Sequence, residues 1–227
     1  MIERHPNQKG DSLKDTSLGQ IRLRIEVERS PASVVELMEA MRGQGHDAEV
    51  VSMKEAGSRP FGVIGRILVD GIDVVAKLAG EHLPEDHPEW AEAFVRQGAI
   101  EAEYEGLKAA AGLTPKLIGE IVAQGQTVGV LKQFVDGMPL AQAVRAGAIS
   151  AENALLKAIE LAQEINDLGY KLWDCAPENL WLRADGSVIL IEGQCIIRHS
   201  QKDLNNPNRR DDSRKLVETM MQEALAN

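Results

Sequence analysis

Two apolar, β-branched runs, Gly62 to Val69 and Ile72 to Leu78, are separated by the dipeptide Asp70-Gly71. Both central residues of a tight type I′ connection need positive φ, which Asp and Gly tolerate and β-branched residues do not. The runs therefore fold back on each other as an antiparallel hairpin. Lys77 alternates with apolar neighbours on the second strand. Turned into a cleft, its ammonium would be costly to desolvate without a phosphate or carboxylate partner; turned outward, it would be an ordinary solvated strand lysine.

Ahead of the hairpin, Ile21, Leu23, Ile25 and Val27 alternate with Arg22, Arg24, Glu26 and Glu28, the pattern of a half-buried strand. Ser30-Pro31 reads as a helix cap followed by proline at the first helical position. Val34, Leu37, Met38 and Met41 form the apolar face of that helix, Gly43 to Gly45 ends it, and Asp47 to Met53 reads as a further strand. The result is a β-α-β block without recognisable chemistry. Residues 1–20 are rich in Lys, Asp, Ser, Asn, Gln and Gly and read as a flexible arm.

Behind the hairpin, a long helix is expected from near Asp86 to about Ala111, with Trp90, Phe94, Ile100, Tyr104 and Leu107 on its buried side. Gly112-Leu113-Thr114-Pro115 breaks it. Strands over Leu117 to Ala123 and Thr127 to Phe134 surround Gly125-Gln126, and Asp136-Gly137-Met138-Pro139 reads as a linker and lobe boundary. The chain then becomes helical, with a good helix over Ala151 to Leu168 whose apolar face is Leu155, Ile159, Ala162 and Ile165. A small hairpin pairs Leu180 to Leu182 with Val188 to Ile191, and Asp211 to Ala226 is an amphipathic helix carrying Leu216, Met220 and Leu225.

Composition narrows the function classes. At 227 residues, 44% hydrophobic, with a mean hydropathy of −0.21, the chain can bury a sizeable core and is not a disordered one. No stretch approaches the ~18 uninterrupted apolar residues of a membrane span. Lys plus Arg total 25 against 35 Asp plus Glu, a formal charge of −10, which disfavours nucleic acid as a partner. Cys175 and Cys195, with five scattered histidines, make neither a disulfide framework nor a zinc pattern, and both are expected as buried free thiols. His82 and His87 lie in an acidic stretch expected to be solvated. Met1 to Gln20 has no apolar core of a signal peptide, so a reducing cytoplasm is expected, although the polar, Ser-containing arm permits a secretion signal.

The nonapeptide Leu172-Trp173-Asp174-Cys175-Ala176-Pro177-Glu178-Asn179-Leu180 lies between the second long helix and the small hairpin. In that context it resembles the catalytic loop of the protein-kinase-like superfamily. The resemblance covers residues 56–194 and implies a role for each matching position. Val75-Ala76-Lys77 sits where kinases carry the lysine that neutralises phosphate charge. Glu103, on the helix face of Ile100 and Leu107, matches the glutamate that clamps it, ahead of its rivals Glu101 and Glu105. Asp174 would orient the accepting hydroxyl, and Asn179 with Glu192 would hold Mg²⁺, or Mn²⁺ in its place. Gly57, Arg59 and Gly62 would cover the phosphates of ATP. Backbone groups of Gln133 and Val135 would read adenine, with Lys132 at the gatekeeper position.

The departures are plain. Glu192 stands where Asp is usual, moving the carboxylate by roughly 1.5 Å, and Mg²⁺ tolerates little error in its octahedral shell. Arg59 replaces the middle glycine of the phosphate loop, Leu172-Trp173 replaces His-Arg, and Ala176 replaces a lysine that stabilises the transferring phosphoryl group. The residues after Gly193 contain no Ala-Pro-Glu and leave no room for an activation segment and the usual large-lobe helices. The expected architecture is therefore α+β: a protein-kinase-like two-lobed fold with a reduced helical C-lobe and an N-terminal β-α-β extension. It divides into an arm (1–20), the extension (21–55), an N-lobe (56–135) and a C-lobe (136–227).

That architecture is similar to the minimal effector kinases that bacteria inject into host cells. It implies an ATP-dependent phosphotransferase acting on a protein hydroxyl, Ser/Thr ahead of Tyr, with slow turnover. The implied partners are a protein substrate, a host protein if the chain is injected, and an activating partner protein. Neither nucleic acid nor membrane is expected. The alternatives are a pseudokinase serving as a binding or regulatory module, and a kinase-fold enzyme that modifies a small molecule or transfers AMP.

Overall fold

The computed structural model describes residues 23–54, 63–80, 90–173, 175–200, 214–219 and 221–222. The arm 1–20, the loop carrying Gly57, Arg59 and Gly62, the stretch with His82 and His87, and Asp174, Met220 and Leu225 lie outside the described residues. The hairpin forms as its turn chemistry dictates. Strand β3 (Val63–Val69) pairs antiparallel with β4 (Ile72–Leu78), and Asp70 (φ 49°) and Gly71 (φ 78°) both take positive φ.

Around this hairpin grows one six-stranded sheet. Strands β1 (Leu23–Val27) and β2 (Ala48–Lys54) belong to the leading block, and β5 (Leu117–Ala123) and β6 (Gln126–Gln133) follow the long helix. The spatial order is β1-β5-β6-β4-β3-β2. The β-α-β block therefore supplies both edges of the sheet: β2 lies antiparallel to β3, and β1 runs parallel to β5. Helix α1 (Val34–Gly43) covers one sheet face, burying Val34, Leu37, Met38 and Met41 against Ile25, Ile67, Val74, Ile121 and Leu131. Gly65 permits this approach, because a methyl group there would lie 2.6 Å from Val34 Cγ2.

The cap of α1 is Ser33 rather than the expected Ser30. Ser33 Oγ accepts the Glu36 N–H at 3.2 Å, and Glu36 Oε2 reaches back to accept the Ala32 N–H at 3.0 Å, so two otherwise orphaned donors are satisfied together. Ser30 and Pro31 are instead buried ahead of the helix.

The opposite side of the sheet meets helix α2 (Trp90–Ala109), where Ile100 and Leu107 pack on Val130, with Tyr104 half-buried beside them. The remaining elements form a second core. They are β7 (Gly137–Pro139), α3 (Leu140–Arg145), α4 (Ala151–Asp167), β8 (Tyr170–Leu172), β9 (Leu180–Arg183), β10 (Val188–Leu190) and β11 (Ile196–Arg198). Ser150 caps α4 by accepting the Asn153 N–H, and Ile159, Ala162 and Ile165 point inward as their periodicity requires.

Two expectations change here. Gly137–Pro139 is a strand paired with β9 rather than a bare linker; a three-residue strand is too short to leave a periodic signal. In the tail helix, Val217 and Met221 enter the second core while Leu216 is exposed, because positions four apart share a helix face. Among the described residues, no helix is long and apolar enough to cross a membrane.

Candidate active site

Of the residues singled out in the sequence, Lys77, Glu103, Asn179 and Glu192 converge where β4, β6, α2 and the turns of the second core meet. Lys77 sits on β4, opposite Val130 of β6, and is 2% exposed. Its Nζ lies 3.5 Å from Glu103 Oε2, 3.2 Å from Gln194 Oε1 and 3.9 Å from Glu192 Oε1. Glu103 is fully buried on α2 between Ile100 and Leu107, whereas Glu101 and Glu105 face solvent. The helix period thus selects one carboxylate of the three.

Glu103 has a second cation that the sequence did not assign to it. Lys132 on β6, 7% exposed, donates to Glu103 Oε1 at 2.5 Å and to the Ile191 carbonyl at 2.6 Å. The signal was present in strand alternation: Val130 and Lys132 share a face, and Val130 opposes Lys77. The Gln194 N–H completes the shell, donating to Glu103 Oε2 at 3.1 Å. Burial alone pushes the Glu103 carboxyl up, but the charges of Lys132 and Lys77, the Lys132 hydrogen bond and the Gln194 N–H together hold it below the usual carboxylate range.

That depression carries a stability consequence. The contribution of ionised Glu103 is complete above the unfolded glutamate value of about 4.3. It is lost as pH falls from there through the lower folded value. Glu103→Gln lacks this titration, so its stability deficit should shrink below about pH 4, and its acid unfolding followed by circular dichroism should begin at a lower pH than a constant deficit would give.

The turn after β10 carries the other carboxylate. Asn179 Nδ2 donates to Glu192 Oε2 at 3.0 Å, and Gln194 Nε2 donates to the same oxygen at 2.9 Å. The Ile191 N–H donates to the Asn179 carbonyl at 2.8 Å, so backbone as well as side chains join the loop to the turn. Asn179 closes the short 3₁₀ turn Pro177–Asn179, begun by a proline that has no N–H to satisfy. Among the described residues no three of His, Cys, Asp and Glu gather as a metal cluster. Asn179 and Glu192 are nevertheless a pair of hard oxygen donors, the chemistry that suits Mg²⁺ rather than a softer metal.

Helix α2 and this turn touch through backbone. Gly106 lies against Gly193, such that a methyl at 106 would overlap the Gly193 carbonyl, and one at 193 would lie 2.5 Å from the Glu103 carbonyl oxygen and 2.7 Å from Leu107 N. The two glycines bring Glu103 and Glu192 onto one common Lys77.

Neighbouring groups complete the surroundings. The Trp173 N–H donates to the Cys195 carbonyl at 2.8 Å, continuing the β8–β11 pairing up to the residue before Asp174, while the Trp173 indole is 61% exposed. A hydrogen bond to Cys195, burial, and the charges of Glu192 and Glu178 push the Cys175 thiol far up, so it stays protonated and is no nucleophile. At the connection between the lobes, the Gln133 N–H is taken by the Lys116 carbonyl and the Phe134 N–H by Asp73 O. Arg66 binds Asp73 through both Nε and Nη2 and lays its guanidinium 3.5 Å from the centre of the Phe134 ring.

No protein-family model matches the chain, and no curated protein does. Solved structures do. WbdD, in a 2.2 Å crystal structure, aligns with a TM-score of 0.52 at 18% identity over 77% of this chain and 37% of its own. The twitchin kinase fragment of C. elegans, described as autoregulated protein kinase and immunoglobulin domains, aligns with a TM-score of 0.51 at 14% identity over 68% and 34%. The chain thus spans about a third of the length of each neighbour it resembles. The chain has a protein-kinase-like fold.

Proposed function

We propose that this protein is an ATP-dependent phosphotransferase, an atypical minimal protein kinase that moves the γ-phosphate to a protein hydroxyl, Ser/Thr ahead of Tyr. The observation that carries this reading is the convergence of Lys77, Glu103, Asn179 and Glu192 in one largely buried cluster between the lobes, which Lys132 brings to charge balance. Lys77 would bind phosphate oxygens, its ammonium already desolvated and held by Gln194 and two carboxylates at 3.2 Å or more. Asn179 and Glu192 would hold Mg²⁺, which supplies charge neutralisation on the phosphates. The Gln133 carbonyl and the Val135 N–H would meet the adenine edge, since the Gln133 N–H is already engaged. Asp174, by its place in the loop, would orient the accepting hydroxyl. Gly57, Arg59 and Gly62 would cover the phosphates.

Substrate selection would fall to the leading β-α-β block, the tail helix or a partner protein. The test is incubation with Mg²⁺ or Mn²⁺ and ATP labelled separately at the α- and γ-phosphates. Wild type is expected to transfer γ-label, and Lys77→Ala and Asp174→Ala to lose about 100-fold or more of that rate. Transfer of α-label would instead make the protein an AMP transferase. Absence of both labels, with no thermal shift on adding ATP, would leave a pseudokinase.

A further inference from the structure

The site contains one more buried cation than the roles above employ. We infer that Lys132 is a positioning residue: it is the principal counter-ion of Glu103, and it keeps that carboxylate neutralised while Lys77 turns to phosphate. The inference rests on the phosphotransferase reading for its second half and on geometry alone for its first.

The geometry is asymmetric. Lys132 Nζ is 2.5 Å from Glu103 Oε1, whereas Lys77 Nζ is 3.5 Å from Oε2, an oxygen that already accepts the Gln194 N–H. Lys132 also donates to the Ile191 carbonyl, one residue before Glu192, so two of its three ammonium hydrogens are placed by fixed acceptors. Lys77, by contrast, spreads over Gln194, Glu103 and Glu192 at longer range.

Charge balance gives this asymmetry a purpose. The cluster holds two cations, Lys77 and Lys132, and two carboxylates, Glu103 and Glu192. If Lys77 alone faced Glu103, its movement toward an incoming phosphate would leave a fully buried carboxylate without a counter-ion, which is among the most unfavourable arrangements a protein interior can hold. With Lys132 in place, Glu103 stays paired whichever way Lys77 points. The Ile191 contact also ties Lys132 to the turn that carries Glu192, so the counter-ion stays registered with the other carboxylate.

Two double-mutant cycles decide the matter. The first uses ligand-free protein and chemical denaturation, with Lys132→Met, Lys77→Met and Glu103→Gln singly and in pairs. The Lys132–Glu103 coupling is expected to exceed the Lys77–Glu103 coupling; the reverse order overturns the inference, whatever the protein does with nucleotide. The second measures the Kd of Mg·ATP by fluorescence titration. Lys132→Met should weaken binding by about tenfold in the wild-type background and by less than about threefold in the Glu103→Gln background. Equal losses in both backgrounds would mean that Lys132 acts through structure generally, and would overturn it.

Lys132→Gln, which keeps a donor for the Ile191 carbonyl but carries no charge, is carried through both cycles in case Lys132→Met is recovered unfolded. If wild type binds no Mg·ATP at all, the phosphotransferase reading falls and the ligand-free cycle alone judges the counter-ion.

Discussion

Glu103→Ala is expected to lower the unfolding free energy by about 3–5 kcal/mol and to reduce phosphate transfer below detection. Removing the carboxylate takes the shared acid from two buried ammonium groups, Lys77 and Lys132, which are 2% and 7% exposed, leaving Lys132 only the neutral Ile191 carbonyl and Lys77 the Gln194 side chain and the longer contact to Glu192. The Gln194 N–H loses its acceptor at the same time. Each stranded group adds a desolvation cost that the intact cluster offsets. Denaturant melts at pH 7 measure the stability change, and a loss under about 1 kcal/mol would contradict the dual ion pairing. Glu103→Gln, which keeps the shape and one acceptor, should lie between wild type and Glu103→Ala.

Gly106→Ala should destabilise the protein by about 2 kcal/mol or more, against the sign that helix propensity predicts. In an exposed helix interior, alanine is better than glycine by about 1 kcal/mol. Here the added methyl would meet the Gly193 carbonyl, a backbone atom that cannot swing aside as a side-chain tip can. Overpacking of this kind costs about 1–3 kcal/mol and shifts the elements involved. The shift would carry Glu103 away from Lys77 and the Glu192 turn, so ATP affinity should fall together with the melting temperature. Gly98→Ala on the same helix, where a methyl meets nothing within 4 Å, is the matched comparison and should stabilise slightly. If both variants behave alike, the backbone contact has no energetic weight.

Much of the site was legible because it rests on short-range rules. Asp70-Gly71 set the hairpin and the 3.6-residue period singled out Glu103 from Glu101 and Glu105, while the face taken by Lys77 stayed open until β6 and α2 were in place. Lys132 shows where such reasoning stops. Alternation put it on the right face, but its pairing needs β6, α2 and the Ile191 carbonyl to meet, which no local pattern encodes.

The parallel pairing of β1 with β5 is similar. Arg24 meets Glu120 at 2.7 Å across 96 residues of chain, and nothing in either strand names the other. Ser33 against Ser30 as helix cap turned on the reciprocal pair of contacts made by Glu36, whose N–H goes to Ser33 and whose carboxylate takes the Ala32 N–H. Of the three-residue strands, β7, β8 and β11 are too short for period-2 patterning, whereas β10 was legible through the turn residues that join it to β9. The kinase-like order of elements, by contrast, survived because it depends on sequence order alone.

The Arg66 clamp has a bearing on tempo. Phe134 is fastened to the sheet by its N–H bond to Asp73 and by the overlying guanidinium, and Gly137 is already paired with Arg183 of the second lobe. Only Val135 and Asp136 lie between these two anchorages. Any gaping of the cleft has to be absorbed by the torsions of that dipeptide, a short and stiff pivot. Under the phosphotransferase proposal, a joint this stiff predicts that release of spent nucleotide limits turnover, and loosening the clamp with Arg66→Ala is expected to quicken it.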